Sequence, residues 1–239
     1  MLIVGGVLVA GAALVAGASG FGFALLATPL LLLSGFSLPF AVTISLLSAI
    51  ASRITVVLRL SDAISGKRVA LLLLGAVPGL FLGARLLSAF SEHEIKFGVG
   101  IVIMAATTSL FYTERHPPRT SRPAVAVAAG FLGGALGTTT SLVGVPPALL
   151  LARERLTARN FLADMAAYFI ATGALGAVAL ATENHFSTGG ARAFLYWLPG
   201  ILVGNYIGTS VGLRMPERTF RLVTLVLAFA AGAVTTAAA

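Results

Sequence analysis

The sequence has no cysteine. Disulfides, thiolate catalysis and cysteine-ligated metals are therefore excluded. Charge is scarce: 10% of residues are Asp, Glu, Lys or Arg, against about 25% in a soluble domain. Acidic residues are the scarcer sign, 8 Asp and Glu against 16 Lys and Arg. No Gly-x-x-x-x-Gly-Lys-Ser/Thr run is present, so nothing points to a phosphate-binding loop or to nucleotide hydrolysis. His93 stands between Glu92 and Glu94, but adjacent helical residues do not share a face, so no metal site is expected there. No nucleophile, base and orienting group come together, and no cofactor motif is seen. The expectation is not an enzyme. Met1 to Ala16 lacks the basic start of a signal peptide and reads as part of the fold.

What the chain has is apolar sequence: 58% hydrophobic residues and a mean hydropathy of +0.99. Apolar runs of about 20 residues recur to its end, which predicts a polytopic helical membrane protein with the lipid bilayer as its surroundings. The runs do not alternate apolar with polar residues, which argues against a barrel of strands. The net charge of +8 fits an excess of Lys and Arg in cytoplasmic loops better than a nucleic-acid surface.

The chain is one unit of roughly 115 to 120 residues written twice. At an offset of 117, Gly17 falls on Gly134, Gly20 on Gly137, Pro29 on Pro146 and Ala41 on Ala158. At 121, Pro78-Gly79 meets Pro199-Gly200 and Gly83 meets Gly204. At 125, Glu92 meets Glu217 and Lys96 meets Arg221. Repeat 1 is 1–113, with apolar segments 2–16 and 23–34 as a hairpin (2–34) and spans 38–59, 68–90 and 95–112. A linker, 114–122, follows. Repeat 2 is 123–239, with segments 123–133 and 141–152 as a hairpin (123–152) and spans 158–182, 191–213 and 219–237.

Charge arbitrates the topology. If each hairpin enters and leaves on one side, Arg59, Lys67, Arg68, Arg115, Arg119, Arg122, Arg153, Arg155, Arg159, Arg214, Arg218 and Arg221 share one side, and Arg85, Lys96 and Arg192 the other. If each hairpin instead crosses once, the split is seven against eight. The positive-inside rule favours the re-entrant arrangement, although five crossings per half give the same sidedness. Each repeat then makes an odd number of crossings, so the two lie in opposite orientations. Both termini fall outside, in the periplasm, and the hairpin tips approach one another near the midplane, as in inverted-repeat transporters. The fold class expected is therefore an all-α integral membrane protein of two inverted repeats.

The order Gly17-x-x-Gly20, a small-residue break, Pro29, then Ala41-Val42-Thr43-Ile44-Ser45-Leu46 and later Gly83-Ala84-Arg85-Leu86 resembles the TauE/SafE family of anion permeases. The resemblance covers both repeats. It implies a bacterial inner-membrane exporter of sulfite or an organosulfonate. Two breaks depart from the family's usual Gly-x-Gly-Gly-Gly: Gly20-Phe21-Gly22-Phe23 and Gly137-Thr138-Thr139-Thr140-Ser141.

Half-helices that start at depth, near Phe23 and Ser141, present unpaired N–H groups and a dipole of about +0.5 charge to an anion. The substrate-binding set expected is Gly20, Phe21, Gly22, Phe23, Gly137, Thr138, Thr139, Thr140 and Ser141, with Thr43, Ser45 and Asn205 from the spans. Hydroxyls would donate without fixed charge, so an oxyanion is held and released. Capping explains the same Thr and Ser equally, close helix packing the same glycines, and an interhelical bond Asn205. Pro29 and Pro146 would break or kink the returning half-helices. Arg53 and Asp164 lie at matched depth in equivalent helices, which suggests an ion pair acting as a gate, or proton coupling through Asp164. Tyr196 and Trp197 read as interface anchors. Transport would be secondary, by alternating access, with a passive anion channel as the rival.

Overall fold

The structure, a computed structural model, describes residues 2–21, 23–89, 97, 101, 104, 108, 122–140 and 142–237. The expected span 95–112, the linker except Arg122, and Gly22 and Ser141 lie outside the described residues as structural elements or positions. Among the described residues the chain is helical, without strands. The order is α1 (Leu2–Ser19), α2 (Phe23–Leu33), α3 (Leu38–Leu60), α4 (Gly66–Ala89), α5 (Pro123–Thr140), α6 (Val145–Arg153), α7 (Ala158–Thr182), α8 (Thr188–Arg214) and α9 (Glu217–Ala237). Three described stretches are long and apolar enough to cross a membrane: Pro39–Ala63, Gly66–Leu86 and Ala158–Thr182. Shorter apolar runs occupy Val4–Ser19 and Pro123–Thr139. Length does not limit α8, at 27 residues, but Gly204, Asn205, Gly208 and Thr209 dilute its apolar content.

Local chemistry sets the starts and stops. Thr157 caps α7 by accepting from the Asn160 N–H at 3.3 Å, and Ser187 caps α8 by accepting from the Gly190 N–H at 3.1 Å. Pro39 sits in the first turn of α3, where its missing N–H costs nothing. Gly20 closes α1 at φ +81°, a left-handed conformation suited to glycine.

The packing crosses between the halves. α1 packs on α2 but far more extensively on α8, and α5 likewise packs on α6 and chiefly on α4. Glycines make both long contacts. A methyl group at Gly204, Gly208 or Gly212 would collide with the carbonyl of Ala10, Leu14 or Ala18 respectively. One at Gly75, Gly79 or Gly83 would collide with that of Val127, Phe131 or Ala135. Small residues at four-residue spacing let the backbones touch. Partner numbers rise together in both seams, so α1 runs parallel to α8 and α5 parallel to α4. The two carbonyl rows are themselves repeats: 10, 14 and 18 become 127, 131 and 135 at the offset of 117. α3 and α7 pack against each other in the centre.

Trp197 is not an exposed anchor. It lies 6% exposed on Gly5 and Gly6 of α1, edge-on to Phe36 and Phe40 at 6.2 Å, because only glycine leaves room for an indole there. Tyr196, next to it, is exposed as expected.

Candidate functional site

The two helix breaks meet. Phe21 and Phe23 from the first, and Leu142, Val143, Gly144 and Val145 from the second, line one cavity of about 30 Å³. That holds about two waters. The cavity sits at the middle of the two central helices, against Ser45, Ser52 and Arg53 of α3 and Phe169 and Gly173 of α7. Positions 45, 49, 52 and 53 share one helical face, at the i, i+4, i+7 and i+8 spacing.

Arg53 dominates this site. Its side chain is 2% exposed. One guanidinium nitrogen, Nη2, donates to the Ala16 carbonyl at 2.9 Å, and the group stacks over Phe169 at 5.5 Å from the ring centroid. The other, Nη1, is buried with no partner. No carboxylate pairs with Arg53 among the described residues. An uncompensated buried cation is costly, and here its free N–H groups belong to a side chain lining the cavity.

The expected ion pair between Arg53 and Asp164 does not form. Asp164 is fully buried, but it accepts from the Ser65 N–H at 2.7 Å and pairs with Arg68. Arg68 also reaches Glu154 at 3.2 Å. Matched depth is not enough to make the pair: the start of α4 supplies Asp164 with a nearer cation, Arg68. Arg159 joins Asp62 at 2.7 Å beside this cluster.

The threonine run is not a break. α5 continues through Thr140, and the returning helix starts at Val145, not near Ser141. Thr138 donates to the Leu80 carbonyl at 3.0 Å and Thr139 to its own Ala135 carbonyl at 2.8 Å, so neither hydroxyl enters the cavity. For Thr140 only the backbone is described, and Ser141 and Gly22 lie outside the described residues. Gly137 lets Val143 pack close: a Cβ there would stand 2.8 Å from it. Pro146 kinks nothing; with Pro147 it occupies the first turn of α6. Pro29 does lie inside a helix, α2.

This also changes the helix-end argument. Pro146 and Pro147 carry no N–H, and the Val145 N–H is bonded to the Leu142 carbonyl at 3.2 Å. The start of α6 therefore offers an anion little. A full guanidinium charge outweighs a dipole end of about half a charge, so the site is not the neutral-donor site expected.

Ser45 stands on the cavity with its hydroxyl 3.5 Å from that of Thr28. Thr43, two residues away, points elsewhere: its hydroxyl accepts from the Ser187 N–H at 3.0 Å. Asn205 ties α8 to α3 by donating to the Ser52 carbonyl at 2.7 Å and does not line the cavity. Of the expected residues, Phe21, Phe23, Ser45 and Arg53 come together there. Gly20 lies behind Phe21, against Phe161 and Leu162. Ser52 and Leu142 to Val145 were missed. The i+7 spacing from Ser45 and the Pro-Pro helix start were the signals that could have found them.

A family model described as Sulfite exporter TauE/SafE matches residues 3–235 of the chain. No curated protein and no solved structure matches it.

Proposed function

The chain belongs to the sulfite exporter TauE/SafE family, and from that premise we propose that it is a secondary transporter exporting sulfite or an organosulfonate from a site at Arg53. The observation that carries this is the unpaired Nη1 of a fully buried arginine lining the cavity between the two helix breaks. An oxyanion supplies the charge and acceptors that Arg53 lacks. Ser45 adds a hydroxyl donor on the same cavity. A ring of Phe21, Phe23 and Phe169 excludes water and strengthens each polar contact.

The chain sits in the bacterial inner membrane as two inverted repeats, with both termini in the periplasm. Two features support this. Each hairpin's first helix runs parallel to the fourth helix of the other repeat, so the hairpins dip in from opposite sides. The arginines gather at one end by sequence. A cavity as small as about 30 Å³ suits a carrier that opens to each side in turn better than an open channel. Asp164, held by Arg68 and Ser65 on the arginine-rich side, is the candidate carboxylate for proton coupling.

Arg53→Met tests the site. The change removes an uncompensated buried charge and keeps the volume. Without ligand the variant melts at or above the parent temperature. Saturating sulfite, at 100 times its Kd, stabilises the parent by about 2.7 kcal/mol and the variant not at all. A variant that still responds to sulfite places the anion elsewhere.

A further inference from the structure

A second cavity, of about 240 Å³, opens at the arginine-rich end between the end of α6 and the starts of α7 and α9. Arg155, Arg218 and Glu217 line it together with Phe161, Phe220 and Thr224. Arg155 holds a left-handed backbone, φ 52°, which is rare for a residue with a side chain. Two cations against one carboxylate give the cavity a net positive lining, which concentrates small anions.

Phe161 touches both this cavity and the first helix break. One side of its ring lies in the outer cavity, edge-on to Phe220 at 5.3 Å. Its other side meets tip one, where a Cβ on Gly20 would be 2.9 Å away. The next residue, Phe21, lines the central cavity and belongs to the same buried cluster as Phe161 and Phe220. The ring on α7 thus touches the positive cavity on one side and, on the other, the break whose next residue lines the Arg53 site. Gly20, at the hinge-like end of α1, backs that layer without a side chain of its own.

We propose that the 240 Å³ cavity is the vestibule through which the anion enters, and that the Phe161 ring, seated on Gly20, is the gate between it and the central site. The proposal rests on the central cavity being the anion site, and its test reads access and not transport. The cysteine-free chain allows single thiols to be placed without a background. Ser45→Cys puts one in the central cavity and Leu156→Cys one in the vestibule. Each full-length protein, purified in lipid nanodiscs, is exposed to a negatively charged sulfonatoethyl methanethiosulfonate and to a cationic trimethylammonium analogue.

The thiol at the half-buried position 156 is expected to react readily, and faster with the anionic reagent; Arg218→Gln removes that preference. The Ser45→Cys thiol is expected to react slowly, and about tenfold faster once Phe161→Ala is added, as a local closing energy of ~1.4 kcal/mol is lost. Where Phe161→Ala does not fold, Phe220→Ala loosens the same ring pair and gives the same rise. Equal Ser45→Cys rates with and without the ring overturn the gate. A protected Leu156→Cys thiol overturns the vestibule. Neither result depends on sulfite, so loss of binding in Arg53→Met and loss of gating here are separate outcomes.

Discussion

Thr139 and Ser45 are both small hydroxyl residues beside a helix break, and the structure uses them in opposite ways. Thr139 bonds its own helix at 2.8 Å, whereas Ser45 stands on the cavity. Thr139→Val therefore leaves sulfite affinity within about twofold of the parent, while Ser45→Ala weakens it by about 1 kcal/mol, roughly fivefold, in equilibrium binding. Equal losses would return the threonine run to the site. The sequence identifies hydroxyls, but a threonine that satisfies itself on an i−4 carbonyl looks the same as one that donates to a ligand. The polar residues legible in advance were those with no local alternative. Arg53 cannot satisfy five N–H donors within its own helix, so it has to seek partners outside α3, although the partner expected for it was wrong. Pro146 misled for a related reason: proline signals a kink and a first turn alike, and only the adjacent Pro147 favours the start of a helix.

At the scale of elements, the periodic glycines decide which helices touch. The helical, apolar character of the described segments was readable, since apolar runs survive in any context, whereas the second hairpin's bounds were not: α5 runs on to Thr140 and α6 starts at Val145. The choice of partner was not readable, because a glycine row accepts any close backbone. Gly208 is pressed on the Leu14 carbonyl, whereas a Cβ on Gly11 meets nothing within 4 Å. Gly208→Ala should cost about 1–3 kcal/mol by forcing α1 and α8 apart, seen as a lowered melting temperature. Gly11→Ala should be neutral or gain up to about 1 kcal/mol from helix propensity. A neutral Gly208→Ala would mean that the seam yields.

Across the whole molecule the two ends are fastened differently. At the arginine-rich end Arg68 joins Asp164 and Glu154, and Arg159 joins Asp62. At the other, the loop before α8 is held to α3 by the neutral bond from Ser187 to Thr43, with an exposed Arg85–Glu183 pair at 3.5 Å nearby. Arg68→Gln should destabilise more than Asp164→Asn, by about 1–3 kcal/mol. The first leaves a buried carboxylate on the Ser65 N–H alone, and the second leaves Arg68 with Glu154. The opposite ranking in thermal unfolding would mean that Arg68 does not hold this end. The crossed seams also bear on how the chain is made. α1 leaves the ribosome first, yet its principal partner begins at Thr188. At about 5–20 residues per second, the first helix waits on the order of ten seconds or more among lipids, its backbone-hungry face uncovered. A nascent chain of this design must be sheltered by the insertion machinery, and a half-length product has no mate except another copy of itself.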